Sequence, residues 1–127
     1  PELINEIFTE HFTGASLFSS EISVLDYDHA EVGGLLLEKW NFSPHIVDCV
    51  RYHHAPSLAE KRQETAVMHL ADIIAIAMGF GCGGSTVIPE FDPEAGNVLG
   101  LAPADLEIIV GQTERQVDEV ATAILGG

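Results

Sequence analysis

Residues 28–54 read DHAEVGGLLLEKWNFSPHIVDCVRYHH, and this stretch decides the fold. It holds two helices and the break between them. Asp28 followed three residues later by Glu31 is a capping-box pattern, so a helix opens at His29 and runs to about Trp40. Val32, Leu36 and Trp40 recur on one face of it, and His29 lies on that same face. The Gly33-Gly34 pair costs roughly 1 kcal/mol per residue relative to alanine. Glycine there predicts the close approach of a neighbouring helix. Asn41-Phe42 breaks the pattern. Ser43 then caps a second helix with Pro44 at its first position. That helix runs to about His54, buries Ile46, Val47 and Val50, and stops at Ala55-Pro56.

The flanking sequence has the same character. Leu3, Ile4, Ile7, Phe8 and Phe12 are helically spaced over 2–12, and Thr13-Gly14 ends that run. Residues 19–25 give one or two further turns, with Ser19 or Ser20 as N-cap and Glu21 near the helix start. Residues 57–62 form a surface loop or short helix. A long helix covers about 63–78. Val67, Leu70, Ala71, Ile74 and Met78 form one of its faces, and Ile73 and Ile76 make the other side apolar. Burial on most sides is expected. The glycine-rich GFGCGG at 79–84 closes it. Residues 85–100 are a loop with a short helix near 93–98. Pro103 starts a last amphipathic helix to about Leu125, with Glu107, Glu114, Asp118 and Glu119 toward solvent. No segment alternates with period two long enough to be a strand. The expectation is an all-α bundle, one domain over 1–127.

Charge narrows the function. Five basic residues stand against twenty acidic ones, for a net charge of −15. Nucleic-acid binding needs a basic stripe that displaces counterions. Arg51, Lys61 and Arg62 are too few, so neither direct nucleic-acid binding nor adhesion to anionic lipid is expected. No apolar run reaches the length of a bilayer span. The acidic N-terminus lacks the basic flank of a signal peptide. The acidity fits a soluble cytoplasmic protein of bacterial type. Cys49 and Cys82 have no metal-site spacing and read as free thiols of a reducing compartment, although sequence alone leaves a disulfide between them open.

Four polar residues interrupt this apolar helical sequence: His29, His53, His54 and Asp72. Three imidazoles and a carboxylate are the ligand types of a divalent transition metal. They are equally the parts of a hydrogen-bonded polar core. A buried aspartate such as Asp72 needs a partner in either case. Adjacent helical residues point about 100° apart, so His53 and His54 can share a partner only because their helix is ending. His29 sits at a helix start, where the dipole favours the neutral ring that binds metals. His11, His45 and His69 read as incidental, with His69 the best placed to join the cluster. Cys49 stands four residues before His53, but an inert cysteine outweighs a Cys–His nucleophile pair there. The glycine-rich loop follows a helix and is no phosphate-binding motif.

The run from Glu21 through Asp28-His29, Val32-Gly33, Trp40, Pro44, His53-His54 and Pro56, completed by Leu70-Ala71-Asp72, resembles the HDOD domain, the HD-related output domain of bacterial signalling proteins. The resemblance spans roughly residues 20–125. It implies an all-helical fold related to the HD-type metal phosphohydrolases. HDOD members are held to have lost the catalytic metal set and to act as regulatory, protein-binding modules in signal transduction. The related HD-GYP phosphodiesterases place a His, a His-His pair and an Asp at positions resembling His29, His53-His54 and Asp72. They also carry a Gly-Tyr-Pro motif after the pair, where this chain reads APSLAEKRQ, which speaks against cyclic-dinucleotide hydrolysis. In the family a further helical half with a His-Asp dyad comes first. This chain has no His-Asp dipeptide, so the expectation is the C-terminal portion of an HDOD domain, lacking its N-terminal helical half. Apolar surface left open by that loss should drive self-association, through the 2–12 helix or the last one. Protein partners are expected, no catalytic residue is, and the one cofactor to consider is a single zinc or nickel ion.

Overall fold

The computed structural model describes residues 2–80 and 87–125, the side chain of residue 125 excepted. Cys82, and with it any pairing to Cys49, lies outside the described residues. The elements are α1 (Glu2–Phe12), α2 (Leu17–Leu25), α3 (His29–Lys39), α4 (Pro44–Tyr52), a 3₁₀ turn (Pro56–Leu58), α5 (Arg62–Ala77), α6 (Pro93–Leu99) and α7 (Pro103–Leu125). Among the described residues there is no strand, and the all-α expectation holds. No helix among them is long and apolar enough to cross a membrane.

Helices α1 and α2 form a hairpin whose turn passes through Gly14 at φ +107°. The Ser23 hydroxyl donates to Glu10 across it at 3.2 Å. Helix α2 starts earlier than the serine pattern predicted. Ser16, not Ser19 or Ser20, is its N-cap, accepting from the Ser19 amide at 3.2 Å. Ser20 is buried and donates back to the Ser16 carbonyl. All three serines can cap, and the apolar pair Leu17-Phe18 gains by joining the helix ahead of the later two.

Helix α3 opens as its sequence predicts. The Asp28 carboxylate accepts from the Ala30 and Glu31 amides at 2.7 and 2.9 Å. The glycine pair does what the sequence reading required. A Cβ on Gly33 would stand 3.1 Å from Val50 Cγ1, and one on Gly34 would stand 2.9 Å from Arg51 Cβ. Any larger residue at position 34 would push α4 away. Arg51 is also tied across the pair, donating to Glu38 at 2.9 Å.

Helix α5 packs on α4, the 3₁₀ turn and α6. Buried apolar side chains are Ile7, Ala30, Val47, Ala59, Ala66, Ile74 and Ala95. Most of these are alanines, so the core is made by close helix approach rather than by bulky groups. Two expectations fail here. Ile46 is 46% exposed while its neighbour Val47 is buried. Helix α5 is not buried on most sides: it packs through Thr65, Ala66, His69 and Ile74, whereas Val67 is 54% and Met68 42% exposed. The reason is α7. It stands off from α5 across an open apolar groove, and none of its described side chains is buried.

Candidate functional site

The end of α4 meets the start of α3. Pro44–Tyr52 stops with His53 as C-cap, and His54 follows as the chain turns away. This frees the two adjacent histidines from the divergence a continuing helix would impose. His29 is the first residue of α3, fixed there by the Asp28 cap. The ligand-type nitrogens of His29, His53 and His54 all lie within 4.8 Å of one another. His29 Nε2 and His54 Nε2 are 2.9 Å apart. The His53 and His54 rings lie 3.9 Å apart, and Phe18 of α2 packs on His54 at 4.6 Å.

Asp72 is set differently. It lines the same cavity, of about 400 Å³, together with Phe18, Glu21, His29, His54 and Phe80. Its carboxylate is not among the groups that converge on one another. The sequence reading placed Glu21 near a helix start and in the HDOD-like signature but not among the ligands, yet this residue organises the site. One carboxylate oxygen accepts from the His29 backbone amide at 3.0 Å and from His29 Nδ1 at 2.6 Å. Glu21 is the one charged residue in LFSSEISVL, and that isolation was the available signal.

These bonds assign ring nitrogens. A carboxylate accepts, so His29 Nδ1 carries hydrogen and Nε2 presents the lone pair of the neutral ring. His53 Nδ1 lies 2.7 Å from the Val50 carbonyl, which likewise makes Nδ1 the donor and leaves Nε2 bare. Orienting one imidazole nitrogen with a carboxylate or carbonyl is how metal-binding histidines are held. His54 is neutral in the native protein at ordinary pH. Burial, then the proximity of His53, His29 and His69, lowers its pKa from 6.5 to about 3.

His69 is neither incidental nor a ligand. It is 2% exposed, its Nδ1–H donates to the His53 carbonyl at 2.7 Å, and its Nε2 accepts from the Asp92 amide at 3.0 Å. Phe91 stacks on the ring. Both nitrogens are used, so His69 pins the end of α4 to the start of α6. His45 is exposed. His11 is buried in α1, with Nδ1 donating to the Ala15 carbonyl at 2.8 Å, away from the cluster. Cys49 is a half-buried free thiol whose Sγ lies 3.7 Å from Thr65 Oγ1, and the His53 Nδ1–H is spent on Val50. No Cys–His pair forms between them.

The donors fit one divalent transition ion in kind: three imidazoles, two with tautomers set for ligation. In spacing, one pair is near and the set as a whole lies within 4.8 Å, so the ligands would have to draw together as well as apart. Tetrahedral zinc with nitrogens at 2.0–2.1 Å separates its ligands by about 3.3 Å. The His29–His54 pair would open by a few tenths of an ångström.

Residues 1–56 match the family model described as the HDOD domain. Over this span, a little under half of its length, the chain is similar to the HDOD family. The HDOD match takes in α1 to α4, and with them Glu21, His29, His53 and His54. It ends before His69 and Asp72. No curated protein and no solved structure matches the chain.

Proposed function

We propose that this HDOD-like chain is a non-catalytic signal-transduction module that regulates by binding other proteins. The observation that carries the reading is helix α3. Its Ala30, Gly33 and Gly34 side packs on α4, while its opposite side is apolar as well and, beyond His29, stays largely exposed. Val32, Leu36 and Trp40 line that open side and are 46%, 42% and 59% exposed, with Leu35 beside them at 55%. Contiguous exposed apolar surface of this kind marks interaction sites. A photo-crosslinking residue at position 36 tests it. The expected result is one discrete protein adduct, lost when Trp40→Asp is added. Absence of any adduct from cells that express the partner pathway counts against the reading.

The competing reading is a metal-dependent phosphohydrolase of the HD superfamily, and the three converging imidazoles favour it. On this reading His29, His53 and His54 would hold one divalent ion, which supplies Lewis acidity and an activated water. Glu21 would orient His29, and Asp72 would face the substrate from the cavity wall. The described cavity lining contains no lysine or arginine to hold a phosphate. Elemental analysis of tag-free protein, with phosphomonoester and phosphodiester assays in added zinc, nickel or manganese, separates the two. Turnover lost in His53→Ala would establish the hydrolase. Bound metal without turnover would leave a regulatory module with a structural ion.

A further inference from the structure

We propose that the groove between α5 and α7 seats a basic amphipathic helix from a partner protein. This rests on the protein-binding reading above and names the partner's chemistry. The groove floor is apolar: Val67, Leu70 and Ile74 come from α5 and Ile109 from α7. The same stripe continues along α7 through Val117 and Val120. Helix α7 is 23 residues long, and none of its described side chains is buried; Val120 is 57% and Ile124 73% exposed. An amphipathic helix draws most of its stability from packing its apolar face. Here the described chain leaves that face uncovered.

Charge selects the occupant. At 100° per residue the apolar stripe of α7 is bordered by Glu107 and Glu114 on one side and by Asp105, Gln112 and Gln116 on the other, while its single base, Arg115, lies on the back of the helix between Asp118 and Glu119. Glu64, in the first turn of α5 and three residues before Val67, shares the α5 side that faces the groove. A second copy would bring the same acidic rims together on a chain of net charge −15. An acidic partner would meet the same repulsion. A helix with leucines on one face and lysine or arginine on the others fills the floor and neutralises the acidic residues that border it.

The test uses a fluorescein-labelled synthetic helix with leucine at i, i+3, i+4 and i+7 and lysine elsewhere. Two comparison peptides are a scrambled sequence of the same composition and a glutamate analogue. Anisotropy should show the basic helix binding about tenfold or more tighter than the scrambled peptide, with no binding of the glutamate analogue. Affinity should fall with salt. Val117→Asp/Val120→Asp should lose binding with its circular dichroism unchanged, and Leu36→Asp on α3 should keep it. Trp40, the single tryptophan, sits on α3 and should not respond to the peptide. Equal binding of the scrambled peptide would reduce the effect to polycation adhesion and overturn the proposal. So would equal binding of the glutamate analogue, or a sedimenting dimer abolished by the α7 variant. Loss in Leu36→Asp alone would overturn the groove while leaving the protein-binding reading intact on α3.

Discussion

The two faces of α5, one closed and one open, follow opposite rules. Where it meets α4 and α6, helices approach through glycine and alanine, and His69 satisfies a carbonyl on one element and an amide on another. Where it faces α7, large apolar side chains stand open and no hydrogen bond bridges the helices among those described. The closed face holds the histidine cluster at fixed geometry. The open face is a surface in search of a partner. Rigidity and recognition are therefore separated in this molecule, and substitutions at the two faces should behave differently.

The sharpest test of the closed face is His69→Leu. The side-chain volume is kept, but the His53 carbonyl and the Asp92 amide each lose their partner. Two unsatisfied, partly buried groups cost about 2–5 kcal/mol together. Urea denaturation should show this as a lower midpoint with the slope retained. Loss below about 1 kcal/mol would mean that water replaces the ring without penalty, and the closed face would not be rigid in the sense argued.

Acid should reach the closed face next, through His54. Its pKa is lowered from 6.5 to about 3 by burial first and by neighbouring histidines second. As pH falls through 6.5 the unfolded ring takes up a proton, while the folded ring stays neutral until about pH 3. The unfolded state binds more protons in that window, so stability is full above 6.5 and declines toward 3. In chelator-treated protein, His54→Gln should flatten the dependence of the urea midpoint on pH over this range. An unchanged slope would show that the ring is not held neutral by its surroundings.

The sequence and the structure agree best where local chemistry decides. Asp28, Ser43-Pro44 and Ala55-Pro56 are local signals, and α3 and α4 begin and end within two residues of where these place them. The Gly33-Gly34 pair was legible because glycine inside a helix needs a reason. The start of α2 was misplaced because three serines within five residues compete for one cap. Three of the four candidate ligands converge, and their convergence follows from a helix that ends at a readable stop. Asp72 shares only their cavity. His69 could not be read, because its partners lie 16 and 23 residues away and neither carries a side-chain signal. The exposure of Val67 was equally hidden: periodicity reports an apolar face, not whether anything covers it.

The smallest effect sharpens the comparison most, because one substitution type is made on both sides. Gly34→Ala gains roughly 1 kcal/mol of helix propensity. Its new methyl then meets Arg51 Cβ at 2.9 Å and Nε at 2.8 Å. Arg51 is bonded to Glu38 and its Cβ moves only with α4, so overpacking of about 1–3 kcal/mol outweighs the gain. Gly111→Ala in α7 gains the same propensity and meets nothing closer than Arg115 Nη1 at 3.8 Å, an ordinary contact. It should stabilise the protein by up to about 1 kcal/mol. Opposite signs of the shift in urea midpoint are expected. Two stabilising results would mean that α3 and α4 part freely, and that the closed side owes nothing to its glycines. Two destabilising results would mean that α7 is already covered in solution by something that fills the space around Gly111, and a second copy of the chain would be the first occupant to look for.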